Sequence, residues 1–278
     1  MEKQKRVMAI NDISCFGKCS LTVALPILSA AGLESCPIPT ALLSTHTGGF
    51  EGFTFKNLDD QIIPITEHWQ KEGIGFDAIY SGYLGSYEQI KYVENIIDSF
   101  SGEGVTVLVD PVMGDNGRLY TGFDESFASG MLELSKKADI IVPNVTETSY
   151  MLGVEYKEEY TEEEITEFMK IFQNMGIKKT VITGIHMKEN VIACGIYDNG
   201  DISFVKNERI EGMYHGTGDV FASALLGGVE SGLNLKEAVS LAAWFVSECV
   251  IITKERYGSS HYGVDFESVL YKFIEKLQ

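Results

Sequence analysis

Short apolar runs and longer stretches of helical periodicity alternate along the chain almost from end to end. Runs at 7–10, 36–40, 78–81, 106–109, 140–142, 180–183, 191–197 and 202–205 read as strands. Between and after them, 20–31, 58–71, 87–99, 125–136, 162–175, 219–231, 235–253 and 266–277 carry the 3.6-residue pattern of helices. A βαβα rhythm of this kind predicts an α/β fold, with a mostly parallel central sheet covered by helices on both faces. Asn199-Gly200 falls between the last two strands. That dipeptide is a hairpin signal, so this end of the sheet is expected to be antiparallel. No linker, repeat or low-complexity tract interrupts the pattern, and residues 1–278 read as one domain.

Charge narrows the choice of partners. Lys and Arg total 22 against 40 Asp and Glu, a formal net charge of -18. Such a surface repels phosphate backbones and anionic lipid, so nucleic acid and membrane are not expected as main partners. An anionic small molecule would have to be held locally, by metal ions and helix N-termini. No apolar run reaches the length of about 18 residues that a membrane helix needs. The first six residues lead into the first strand with no signal-peptide core, and a cytoplasmic location is expected. Cys15, Cys19, Cys36, Cys194 and Cys249 are odd in number and scattered, which suits a reducing compartment. Cys15 and Cys19 read as small core residues rather than as metal ligands.

In parallel sheets ligands lie beyond the carboxyl ends of the strands, so the residues where each apolar run stops matter most. His215-Gly216-Thr217-Gly218-Asp219 precedes an apolar helix. Its glycines would leave the first helical N–H groups free to converge on an anion, and Asp219 could take a proton from an attacking hydroxyl. Thr217 and Asp219 are equally ordinary helix-start residues. Asp110-Pro111-Val112-Met113-Gly114-Asp115 follows a strand directly and offers two carboxylates for Mg²⁺; its alternative is a polar turn. Asn144 and Glu147 have capping-box spacing, and Glu147 could also hold a metal-bound water. Residues 43–53, with His46, Thr47 and three glycines, suit a flap over a flat ring, with His46 a structural hydrogen-bonder. Ser81-Gly82-Tyr83-Leu84-Gly85 is a further glycine-studded strand end, where Tyr83 packs on a ligand or on the core. Walker A, protein-kinase and His-Glu-x-x-His patterns are all absent.

Taken in order, His46-Thr47-Gly48, Ser81–Gly85, Asp110–Asp115, Pro143-Asn144-x-x-Glu147 and Gly216–Asp219 resemble the pyridoxal kinases of the ribokinase-like superfamily, and the match spans essentially the whole chain. The resemblance implies a doubly wound α/β fold with a substrate flap. It further implies ATP-dependent phosphorylation of the 5′-hydroxymethyl group of pyridoxal, pyridoxamine or pyridoxine, a step of vitamin B6 salvage, with Mg²⁺, K⁺ and a homodimer. On this resemblance Asp219 is the catalytic base, and Gly216, Thr217 and Gly218 form the anion hole. Asp110, Asp115 and Glu147 organise metal and phosphate, with the two aspartates also at the nucleotide. Asn144 and Thr183 meet nucleotide phosphates, and Tyr120 covers the nucleotide. Asp12, His46, Thr47 and Tyr83 line the ring pocket. Asp12 stands where many of these kinases carry Ser, which suggests a leaning toward pyridoxamine. Hydroxymethylpyrimidine kinases are relatives that usually carry Cys where this chain has Asp219. The alternatives are therefore that activity, or a non-catalytic B6-binding protein.

Overall fold

The computed structural model of the chain describes residues 3–258 and 262–278; the first two residues of the N-terminal stretch lie outside them. Its framework starts from two-residue alternation. In β1 (Arg6–Ser14), Val7 and Ala9 enter one core and Met8 and Ile10 the other. The same holds in β4 (Ala78–Ser81), where Tyr80 faces one side and Ile79 the other, and in β5 (Thr106–Val109), where Leu108 opposes Val107 and Val109. Both faces are apolar, so both must be covered.

Nine strands make one sheet among the described residues. Its remaining members are β2 (Glu34–Leu43), β3 (Phe55–Asn57), β8 (Ile140–Ile141), β9 (Lys179–Met187), β10 (Val191–Asp198) and β11 (Asp201–Glu208). The order is β11-β10-β9-β8-β5-β4-β1-β2-β3, parallel from β9 through β2 and antiparallel at both edges. Strands β6 (Gly114–Asp115) and β7 (Arg118–Leu119) form a separate small hairpin. Helices α1 (Leu21–Ala30), α7 (Thr217–Glu230), α8 (Leu235–Tyr257) and α9 (Leu270–Leu277) close one face. Helices α2 (Asp59–Lys71), α3 (Tyr87–Phe100), α4 (Glu125–Ser135), α5 (Val145–Leu152) and α6 (Glu162–Asn174) close the other. This is the doubly wound α/β architecture that the alternation predicts.

The 199–200 turn is a tight hairpin, with Asn199 and Gly200 at φ 50° and 106° and Asp198 facing Asp201. Left-handed backbone at both positions is what a two-residue turn needs to match strand twist. Other expectations shift. β9 runs on to Met187, and the C-terminal helix splits into a short 3₁₀ turn, Glu267–Val269, and α9. Strand β3, half-exposed and three residues long, carries no apolar signal. Cys15 is exposed and Cys19 half-buried, not core residues, because both sit in the loop that leaves β1 over the strand ends; all five cysteines are unpaired. Among the described residues no helix is long and apolar enough to cross a membrane.

Candidate active site

The parallel strands stop at a cleft of about 1210 Å³, lined by every residue that the motifs nominate: Asp12, His46, Thr47, Tyr83, Asp110, Asp115, Tyr120, Asn144, Glu147, Thr183, Gly216, Thr217, Gly218 and Asp219. The loops after β1, β2, β4, β5, β8 and β11 and the start of α7 meet there.

Helix α7 begins without a side-chain cap. Gly216 holds φ 77°, and a Cβ there would lie 2.0 Å from the Lys18 carbonyl oxygen, so only glycine fits. The first N–H to bond back within the turn is that of Val220, to the Gly216 carbonyl at 3.1 Å. The amides of Thr217, Gly218 and Asp219 therefore have no helical acceptor, and a Cβ on Gly218 would meet nothing within 4 Å. Open amides at the positive end of a helix dipole make an anion site. Asp219, in the same turn, accepts a hydrogen bond from Asn11 Nδ2 at 3.3 Å. Burial pushes its carboxyl up to about 6, with the Asp12 charge adding and the Ser20 N–H and Asn11 amide opposing. A base poised there is ionised at neutral pH yet still able to accept a proton.

Asp110 is 5% exposed, and its carboxylate receives no hydrogen bond among the described residues. Burial raises it well above the usual carboxylate range, and the charges of Glu147 and Asp219 raise it further. Glu147 is committed locally. Its Oε1 accepts from the Met113 N–H at 3.1 Å and its Oε2 from the Asn144 N–H at 2.8 Å. Asn144 Oδ1 in turn accepts from the Glu147 N–H at 2.9 Å, and Asn144 Nδ2 donates to the Gly114 carbonyl at 2.8 Å. The pair is thus the capping box of α5, and it also clamps the β6–β7 hairpin. Asp115 accepts from both the backbone and side-chain nitrogens of Asn116. Asp110, Asp115 and Glu147 do not close up: among the described residues no group of three or more His, Cys, Asp or Glu side chains is gathered to hold a metal by itself. Thr183 continues β9 past Pro143, donating its N–H to that carbonyl at 2.9 Å.

On the other side of Asp219, buried Asp12 accepts from Ser20 Oγ at 2.5 Å and Ser14 Oγ at 3.0 Å, and burial raises its pKa. His46 Nδ1 accepts from the Gly48 N–H at 3.2 Å, which leaves Nε2 to donate to the Tyr262 carbonyl at 3.3 Å. Both nitrogens serve the flap. Phe50 packs edge-on to His46 and to Phe16, and Phe16 to Tyr262. Tyr83 packs against Phe123, and burial pushes its phenol up to about 12.

Several lining or supporting residues had no motif to announce them. Ser20 adopts φ 55°, an uncommon state for serine, and Ser14 is the last residue of β1. His186 and Arg209 come from the antiparallel edge, where burial and the Arg209 charge lower the histidine. Asn11 carries the clearest sequence signal among them, since two polar residues, 11 and 12, follow the apolar 7–10 run.

A family model described as phosphomethylpyrimidine kinase matches residues 25–265. The pyridoxal kinase of Dictyostelium discoideum is 27% identical over 243 residues, covering 81% of this chain and 78% of its own. Among solved structures, a Bacteroides thetaiotaomicron protein crystallised with pyridoxal superposes with a TM-score of 0.91 at 37% identity, over 98% of this chain and 96% of that one. The pyridoxal kinase of Lactobacillus plantarum superposes with a TM-score of 0.89 at 28% identity, over 99% and 98%.

Proposed function

The chain belongs to the phosphomethylpyrimidine kinase family, and from that premise we propose that it transfers the γ-phosphoryl group of ATP to the 5′-hydroxymethyl group of a vitamin B6 compound. One observation carries the reading: an uncapped, glycine-lined helix start and a carboxylate with a pKa of about 6 share one turn at the floor of the cleft. Asp219 takes the hydroxyl proton as the alcohol oxygen forms its bond to the γ-phosphorus; the bond to the β-phosphate oxygen breaks, and ADP leaves. The amides of Thr217, Gly218 and Asp219 stabilise the charge on the migrating group, so catalysis is positioning plus electrostatics. Thr183 and Asn144 lie at the nucleotide side with Tyr120 over it, while His46, Thr47 and Tyr83 wall the ring pocket. The flap excludes water that would otherwise hydrolyse ATP.

The donor set suits a hard divalent cation. Asp110 is a buried carboxylate with no cationic partner, next to two further acids. Mg²⁺ characteristically uses one or two carboxylates, waters and substrate phosphates rather than a closed protein cage. Asp110 would hold it directly and Asp115 and Glu147 through water, and when bound it supplies neutralisation of phosphate charge. The same reading includes K⁺ as a monovalent activator, a homodimer, one domain over the whole chain and a cytoplasmic location. Asp12 gives the ring pocket an acceptor that favours a positively charged vitamer, pyridoxamine first.

The family's description, phosphomethylpyrimidine kinase, favours a second reading in which the substrate is a pyrimidine, with hydroxymethylpyrimidine as the candidate. An ADP-release assay over pyridoxal, pyridoxamine, pyridoxine, hydroxymethylpyrimidine and ribose decides between them. Turnover with the three B6 compounds is expected, and a preference for the pyrimidine, or no turnover, ends the B6 reading. Asp219→Ala should lower kcat by roughly 10²–10⁴-fold, the usual worth of a general base.

A further inference from the structure

Asn11 lies within β1, fully buried, where the pairing of β1 with β2 slips register between Asn11 and Ile13. Its Oδ1 accepts two backbone N–H groups, from Tyr83 at 2.9 Å and Asp12 at 3.0 Å. A flipped amide would set its NH₂ against both of those donors, so the oxygen must face them and the NH₂ must face Asp219, 3.3 Å away. Room for the amide comes from Gly82, where a Cβ would lie 2.3 Å from Asn11 Nδ2 although the backbone is ordinary for any residue. Strand β1, the turn after β4 and the first turn of α7 thus meet at one side chain.

We propose that Asn11 is a positioning residue for the phosphoryl transfer: its clamped amide orients the Asp219 carboxylate and keeps it ionised for proton abstraction. This rests on the reading of Asp219 as the base. Asp12 on β1, Cys19 before α1, Tyr80 on β4, Asp110 after β5 and Tyr120 after β7 interact electrostatically with Asp219, and His215 stands four residues before it in the same cleft. Two neutral donors, the Ser20 N–H and the Asn11 amide, oppose the burial of Asp219. The Asn11 bond lowers the Asp219 pKa as the Ser20 N–H does, against burial and the Asp12 charge.

Asn11→Asp separates this role from a merely structural one. The new carboxylate still accepts from Tyr83 and Asp12 but replaces the donor to Asp219 with negative charge. The acid limb of the kcat/KM profile should then move to higher pH by about one unit or more. At neutral pH kcat should fall roughly tenfold or more, short of the about 10²–10⁴-fold loss in an Asp219 variant, and recover as pH rises. The KM for ATP should stay within about twofold, since the nucleotide is held elsewhere. A structural Asn11 predicts a pH profile of wild-type position, and that result overturns the inference. Gly82→Ala, which forces the same amide off Asp219 without adding charge, should move the limb in the same direction and decides the matter if Asn11→Asp does not fold. Asp219→Asn run alongside keeps the two readings apart. An inactive Asp219→Asn with an unmoved Asn11→Asp profile removes only the role of Asn11, whereas an active Asp219→Asn removes the base assignment itself.

Discussion

At the scale of single residues the cleft is short of positive charge. Asp110, Glu147, Asp219 and Asp12 are acids with raised pKa values, burial being the leading cause for each. A carboxyl whose folded pKa is raised binds more protons folded than unfolded, so stability falls as pH rises from the ordinary carboxylate range toward the folded value. Asp110→Asn removes that penalty. In divalent-free buffer the variant should unfold at a higher temperature than the parent near pH 7, and the two should converge near about pH 4. Thermal unfolding at both pH values checks this, and equal curves near pH 7 would mean that Asp110 has a counter-cation. The same substitution should abolish turnover, an instance of a site kept at the expense of stability.

At the scale of elements, the start of α7 is the part least tolerant of change, and its two glycines differ. Gly216 has left-handed backbone and the Lys18 carbonyl against it, whereas Gly218 has open space and ordinary helical backbone. Gly216→Ala should lower stability by more than about 1 kcal/mol and remove activity, since either the helix start or the 17–19 loop must shift. Gly218→Ala should leave the unfolding midpoint unchanged or slightly higher, because alanine is the better helix former. Denaturant unfolding of the pair checks the contrast, and a stable Gly216→Ala would show that the turn is not built as described. The α5 capping box illustrates two residues serving two ends: of the four hydrogen bonds made by Asn144 and Glu147, two start the helix and two pin the loop bearing Asp115.

For the whole molecule, charge and cleft pull against each other. The chain carries a net charge of -18, and Arg209 is the one Lys or Arg lining the cleft among the described residues. ATP binding measured without divalent cations should therefore strengthen as ionic strength rises, because salt screens the repulsion between nucleotide and protein. Calorimetric titration at about 0.05 M and 0.3 M salt tests this. Weaker binding at high salt would show that a local cationic contact dominates over the field of the molecule. With divalent present the dependence should flatten, since the nucleotide then arrives partly neutralised.

The period-two alternation of the strands, the Asn199-Gly200 turn and the five motifs are local signals, and from them the layered α/β framework and the residues at the strand ends were legible in the chain itself. Locality is the reason: which face a residue takes, and whether a turn closes, depend on neighbours a few positions away. What remained hidden depends on contacts between distant segments. The half-exposed strand β3 forms only because β2 offers an edge, and Ser20 takes its uncommon backbone where its hydroxyl meets Asp12. Asn11 becomes more than a polar residue of β1 only when Asp219, 208 positions away, is brought against it. Tertiary structure also decided that Glu147 is spent on its own helix and loop while Asp110 is left without a partner, because the fate of a buried carboxylate is set by the donors that the fold gathers around it.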